Sequence, residues 1–318
     1  MPEKSIVVVG SINIDLVVHV ARIPAKGETL PGSDFETHPG GKGANQAAAV
    51  ARLGYPVSMI GRVGSDVFGT NLRGSLSAAG IDTSAVATTE GPSGVAMIAV
   101  QARGDNSIIV SPGANGLLSA ADLDANLDLL RNAQMVLTQL EIPLATVEHL
   151  AAVCARERVP LMLDPAPAHP LPDHVWRSIT WITPNDTEAR QLCGREAPGL
   201  SEAGLNEMAE HLMRLGSRNV LLKLGERGAY LATHDGIRAA VPPYSVTATD
   251  TTAAGDAFNG AFAVALARGA SGPEAAQFAA AAAAISVTRR GALPSMPTQA
   301  EVEEFIAERL AERQELTL

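Results

Sequence analysis

Hydrophobic positions along this 318-residue chain follow two rhythms. In the first, short apolar runs at residues 5–9, 57–60, 135–140, 161–164, 181–183 and 220–224 read as buried strands. Stretches of helical period separate them, at 43–53, 68–79, 120–130, 145–156, 188–193 and 202–215, and three more, at 253–267, 275–287 and 299–313, close the chain. A late hairpin is expected at 230–232 and 237–241. Apolar strands alternating with helices predict a mostly parallel sheet covered on both faces. The second rhythm is strict alternation, at 15–20, 28–37, 94–100 and 107–110, the last two joined by a turn at 103–106. Alternation suits a half-exposed sheet. The two insertions that carry it, 13–40 and 94–110, therefore predict a small second sheet beside a core made of 1–12, 41–93 and 111–318. Its free apolar face needs cover from a substrate, a second copy of the chain, or both.

Composition narrows the partners. The net charge is −10, aromatics are 3% of residues, and the basic residues are scattered. Nucleic-acid binding would want a basic stripe or stacking aromatics, so it is not expected. No run is long and apolar enough for a membrane span or a signal segment. The two cysteines, Cys154 and Cys193, lack metal-ligand spacing and read as free thiols of a cytoplasmic protein.

The chemistry concentrates at strand ends and helix starts. Asp250 and Asp256 bracket the small residues Thr251–Gly255, and a long Ala-rich helix follows. Small residues at a helix start expose backbone N–H groups that suit a phosphate or a developing anion. Asp256, just inside that start, is placed to take a proton from an attacking hydroxyl; simple capping explains the same residues equally well. Asn13 and Asp15 follow the first strand, where ligands of open α/β sheets bind, and suit sugar hydroxyls as well as a turn. Gly40-Gly41-Lys42-Gly43-Ala44-Asn45 opens a helix without the Walker ending or the dinucleotide fingerprint, which disfavours a nicotinamide dehydrogenase. Lys42 and Asn45 there suit polyol recognition. Glu141 ends another strand and either holds a hydroxyl or faces solvent. Asn185 and Glu188 have the spacing of a capping box and also of an Mg²⁺ pair acting through waters.

Taken together, these motifs resemble the ribokinase, or phosphofructokinase-B, family of carbohydrate kinases. The resemblance spans nearly the whole chain and includes both family signatures, 40–69 and 250–260. It implies a three-layer α/β/α core with a β-sheet lid, lids paired in a homodimer, and ATP-dependent phosphorylation of the ribose 5-hydroxyl. Another sugar or nucleoside acceptor (2-deoxyribose, fructose, adenosine) is the alternative within the family, and a non-catalytic sugar-binding regulator the rival outside it. Asn13, Asp15, Gly41, Lys42, Asn45 and Glu141 are implied to hold the sugar, with Asp256 as base. The N–H groups of Ala253, Ala254 and Gly255 are implied as anion hole, and Asn185 and Glu188 as the Mg²⁺-linked pair. Lys223, Gly225 and Gly228 fall at the nucleotide wall. Asp250, Thr252, Ser286, Arg289, Gly291 and Ser295 match a potassium site built mostly of backbone oxygens. Two positions depart from the family pattern: Ala253 stands where many relatives carry Gly, and Lys223 where ribokinases often have Thr.

Overall fold

A computed structural model describes residues 4–101, 106–194 and 200–315. Its strands are β1 (Ile6–Val9), β2 (Asn13–Val20), β3 (Ser33–Gly40), β4 (Val57–Gly64), β5 (Val86–Thr89), β6 (Gly94–Gln101), β7 (Asn106–Ser111), β8 (Met135–Thr138), β9 (Leu161–Leu163), β10 (Trp181–Ile182), β11 (Asn219–Lys223), β12 (Ala229–Thr233) and β13 (Arg238–Val241). Nine of them form one sheet in the order β13-β12-β11-β10-β9-β8-β1-β4-β5. It is parallel from β5 to β11, and β12 and β13 run antiparallel at one edge.

Strand alternation divides the core into two halves. In β1, Ile6 and Val8 point into one apolar cluster while Val7 and Val9 point into the other, and all four are fully buried. The first cluster takes the helices Lys42–Arg52, Ala254–Ala267 and Gly272–Ser286; the second takes Leu144–Glu157 and Glu202–Leu215. Burying a Val or Ile side chain contributes roughly 1.5–3 kcal/mol, so β1 anchors both layers at once. Helix Ala254–Ala267 lies close on helix Lys42–Arg52 because Gly260 has no side chain: a Cβ there would sit 2.5 Å from Cβ of Ala49. That approach brings the two helix starts together.

The remaining strands form a separate four-stranded sheet, β3-β2-β6-β7, parallel only between β2 and β6. The two-sheet organisation matches the two rhythms of the sequence. Several local expectations do not hold. The strand expected from residue 28 begins only at Ser33, because Gly27 turns with φ +82° and Pro31 intervenes. The helix expected over 120–130 breaks at Asn126 into Ala120–Ala125 and Leu127–Arg131. Strand β5 and the one-turn helix Asp173–Trp176 were not expected. Most of the turn expected at 103–106 lies outside the described residues. Among those described, no helix is long and apolar enough to cross a membrane, and Cys154 and Cys193 are free thiols.

Candidate active site

Four parallel strands and two helices deliver side chains to one end of the large sheet, beyond the strand carboxyl ends. β1 leads to Ser11, Asn13 and Asp15. β8 leads to Gln139 and Glu141, β9 to Asp164, and β11 ends in Lys223. Helix Lys42–Arg52 starts with Lys42, Asn45 and Gln46, and helix Ala254–Ala267 starts with Asp256.

Asp256 is 5% exposed. Asn45 Nδ2 donates to one of its oxygens at 3.0 Å and Gln46 Nε2 to the other at 3.1 Å. Burial pushes its pKa up to about 6; the Lys42 ammonium opposes this and the Asp164 carboxylate adds to it. The preceding residue pattern fits an anion. Ala253 caps the helix in the left-handed region, φ +59°. The N–H groups of Ala253, Gly255 and Asp256 make no hydrogen bond among the described residues, while Ala254 N–H donates to Thr251 at 3.3 Å. Of the three N–H groups expected as the anion hole, those of Ala253 and Gly255 are free and that of Ala254 is engaged; the Asp256 N–H is free as well.

Behind Asp256 lies a buried chain of polar groups. Gln46 Nε2 also donates to Asp164 at 3.1 Å, its Oε1 accepts from Gln139 Nε2 at 2.7 Å, and Lys223 Nζ donates to Asp164 at 2.9 Å. Lys223 and Asp164 have side chains only 12% and 3% exposed. Lys223 thus neither faces solvent nor stands alone; its ammonium would lie 3.4 Å from a Cβ on Gly255, beside the free N–H groups.

The acceptor side is equally tight. Glu141 accepts from the Ser11 hydroxyl at 2.6 Å and from the Lys42 N–H at 3.2 Å. Burial and the nearby Glu141 carboxylate raise the Asp15 pKa to about 7, with His38 pulling the other way and Asp256 adding to the rise. Burial alone would lower the Lys42 pKa, but the carboxylates of Asp256, Asp164, Glu141 and Glu188 outweigh it and raise it, so the ammonium stays charged. Gly41, φ +91°, is required because a Cβ would fall 2.8 Å from the Asn13 nitrogen. A buried carboxylate, donors and acceptors for several hydroxyls, and a helix start with free N–H groups suit the transfer of a phosphoryl group onto an alcohol.

The model of the pfkB carbohydrate kinase family matches residues 3–299. The chain belongs to that family. A ribokinase of Bacillus subtilis is 41% identical over 305 residues, covering 96% of this chain and 100% of that one. A deoxyribokinase of Salmonella typhi is 36% identical, covering 95% and 98%. The solved structure of Arabidopsis thaliana ribokinase complexed with ribose and ATP superposes with a TM-score of 0.86 at 37% identity, covering 95% of this chain and 98% of that one.

In this pfkB kinase the remaining expected residues take the following places. Asn185 and Glu188 form a reciprocal capping box at 2.8 Å each way. Burial chiefly, with Asp164, raises the Glu188 pKa. Gly225 and Gly228, φ +59° and +84°, turn the chain between β11 and β12. Asp250 accepts from the N–H groups of Thr252 at 2.9 Å and Gly291 at 2.8 Å, and these bonds outweigh burial and lower its pKa. At the expected cation site, which relies mostly on backbone oxygens, the side chains are engaged within the protein: Arg289 with Glu301 at 2.7 Å, and the hydroxyls of Ser286 and Ser295 with the Ala283 and Ala292 carbonyls. Gln46, Gln139, Asp164 and Asn115 were not singled out as site residues. Gln46 directly follows the glycine motif, and Gln139 and Asp164 stand in Gln139-Leu140-Glu141 and Asp164-Pro165-Ala166-Pro167, two stretches that carry the family resemblance; nothing local marked Asn115.

Proposed function

We propose that the protein transfers the γ-phosphoryl group of ATP to the 5-hydroxyl of D-ribose, giving ribose 5-phosphate and ADP. The observation that carries this reading is Asp256, a buried carboxylate between the sugar-type groups Asn13, Asp15, Lys42 and Glu141 and a helix start with free N–H groups. The relatives that act on ribose support the choice of sugar. Asp256 takes the hydroxyl proton as the sugar oxygen bonds to the γ-phosphorus and the bond to the leaving ADP oxygen breaks. The N–H groups of Ala253 and Gly255, at the positive end of the helix dipole, stabilise charge on the transferring group. Lys42 and Lys223 hold positive charge on either side of it.

Glu188 keeps one carboxylate oxygen outside its capping bond, a donor suited to a hydrated Mg²⁺. Bound there with the phosphates, Mg²⁺ would offset their charge. Asp250 with the backbone oxygens of Thr252, Ser286, Arg289, Gly291 and Ser295 is the donor set for K⁺; the engaged Ser hydroxyls leave that role to carbonyls. The small sheet acts as a lid over the sugar. Phe35, Met97 and Ile109 share one face of it and are exposed, as Ile108 and Val110 are on the other, and such apolar surface favours pairing of lids in a homodimer. Free thiols fit the cytoplasm. Incubation with ATP, Mg²⁺, K⁺ and ribose should yield ADP and a sugar phosphorylated at carbon 5, read by phosphorus–proton NMR. Turnover of ATP without a phosphorylated sugar would refute the proposal.

A further inference from the structure

Asn115 supports the sugar end of the site from behind. It lies in the short 3-10 helix Gly113–Leu117, just after β7, and is 1% exposed. Its amide reads both polar groups of Ile12: Oδ1 accepts from the Ile12 N–H at 2.9 Å, and Nδ2 donates to the Ile12 carbonyl at 3.1 Å. Backbone groups have fixed polarity, so they dictate which way the Asn115 amide faces. The second Nδ2 proton then goes to Asn13 Oδ1 at 2.7 Å. Both protons of that nitrogen are used, and only an acceptor can face it. Asn13 is obliged to turn its oxygen toward Asn115, and its own Nδ2 makes no hydrogen bond among the described residues. Gly94 allows the two amides to meet, since a Cβ there would lie 2.1 Å from Asn115 Nδ2 and 2.2 Å from Asn13 Oδ1.

We infer that Asn115 is a positioning residue that makes Asn13 a hydrogen-bond donor to the sugar and leaves acceptance to the Asp15 carboxylate. The inference rests on the reading of Asn13 and Asp15 as sugar ligands. It predicts that the hydroxyl facing Asn13 is recognised through its lone pairs. A fluorine there still accepts a hydrogen bond and a hydrogen does not.

Calorimetric Kd values for the 2- and 3-deoxy riboses and their deoxyfluoro counterparts test this. At one of the two positions the fluoro sugar should bind at least about threefold more tightly than the deoxy sugar, the worth of a weak hydrogen bond. In Asn115→Asp the carboxylate repels Asn13 Oδ1 and turns the amide round. Ribose binding should weaken roughly 10- to 100-fold, and the fluoro advantage should vanish or invert. A merely structural role for Asn115 would weaken all the sugars alike and leave the contrast intact. No contrast at either position in the wild type, or an unchanged contrast in the variant, would overturn the inference; the wild-type comparison decides alone if the variant does not fold. If ribose is not phosphorylated, the proposed function fails, and the same contrast run on the sugar that is phosphorylated still decides the role of Asn115.

Discussion

The acid limb of the pH profile follows from two carboxylates. On the proposed reading, Asp256 must be ionised to take a proton, and Asp15 must be ionised to accept from the sugar. Burial and like charge place their pKa values at about 6 and about 7. Each group alone would cost kcat/KM about tenfold per pH unit below its own value. Together they give a limb whose slope approaches two. At pH 5 about one-tenth of Asp256 and one-hundredth of Asp15 are ionised, so kcat/KM should fall about a thousandfold from its value at pH 8. Because both groups interact, the midpoints belong to the pair. Asp15→Asn should reduce the slope to one. Asp164→Asn removes the negative charge that raises Asp256 and should move the lower midpoint toward the ordinary carboxylate range. The assay is initial rate at low ribose and saturating ATP between pH 4.5 and 8.5, after each variant is shown to fold. A single limb centred near pH 4, unmoved in Asp164→Asn, would refute the reasoning.

Other outcomes follow from the same geometry. Asp256→Asn should lose on the order of 10²–10⁴-fold in kcat while still binding ribose; near-wild-type turnover would remove Asp256 from the role of base. The folded state holds Asp256 and Asp15 protonated at pH values where the unfolded chain has released those protons. Stability of the unliganded protein should therefore fall as pH rises from about 4 to 7, by on the order of 3 kcal/mol from Asp256. Denaturant titrations across that window should show the fall, and Asp256→Asn should remove the Asp256 share of it while leaving that of Asp15. Gly40→Ala puts a Cβ 2.2 Å from an Asp15 carboxylate oxygen; KM for the sugar should rise about tenfold or more, with the melting temperature nearly kept because a side-chain end can yield. Ala253→Gly relieves a left-handed conformation that costs an L-residue roughly 1–2 kcal/mol, less about 0.5–1 kcal/mol of glycine entropy. Denaturation should show unchanged or slightly higher stability, and a loss above about 1 kcal/mol would count against strain at this cap.

What the sequence disclosed depended on how local the signal was. The two-layer core was legible because β1 alternates between two buried faces and the helices keep their period. The small sheet was legible because its strands alternate where the core strands do not. Strand β5 was hidden by its polar threonines, and Asn126 interrupts a helix whose apolar period runs on unbroken. Asn13, Asp15, Lys42, Asn45, Glu141 and Asp256 were legible because strand ends and helix starts are where such residues matter. Gln46, Asp164 and Asn115 were not. Their partners lie 210, 118 and 103 positions away in sequence, and no spacing rule reaches that far. Lys223 shows the same limit: its residue type suggested phosphate or solvent, and only the fold reveals Asp164 beside it.

The account stands most directly on the choice of acceptor. Values of kcat/KM for ribose, 2-deoxyribose, fructose and adenosine, measured with ATP, Mg²⁺ and K⁺, should rank ribose first. A higher value for any of the other three would contradict it.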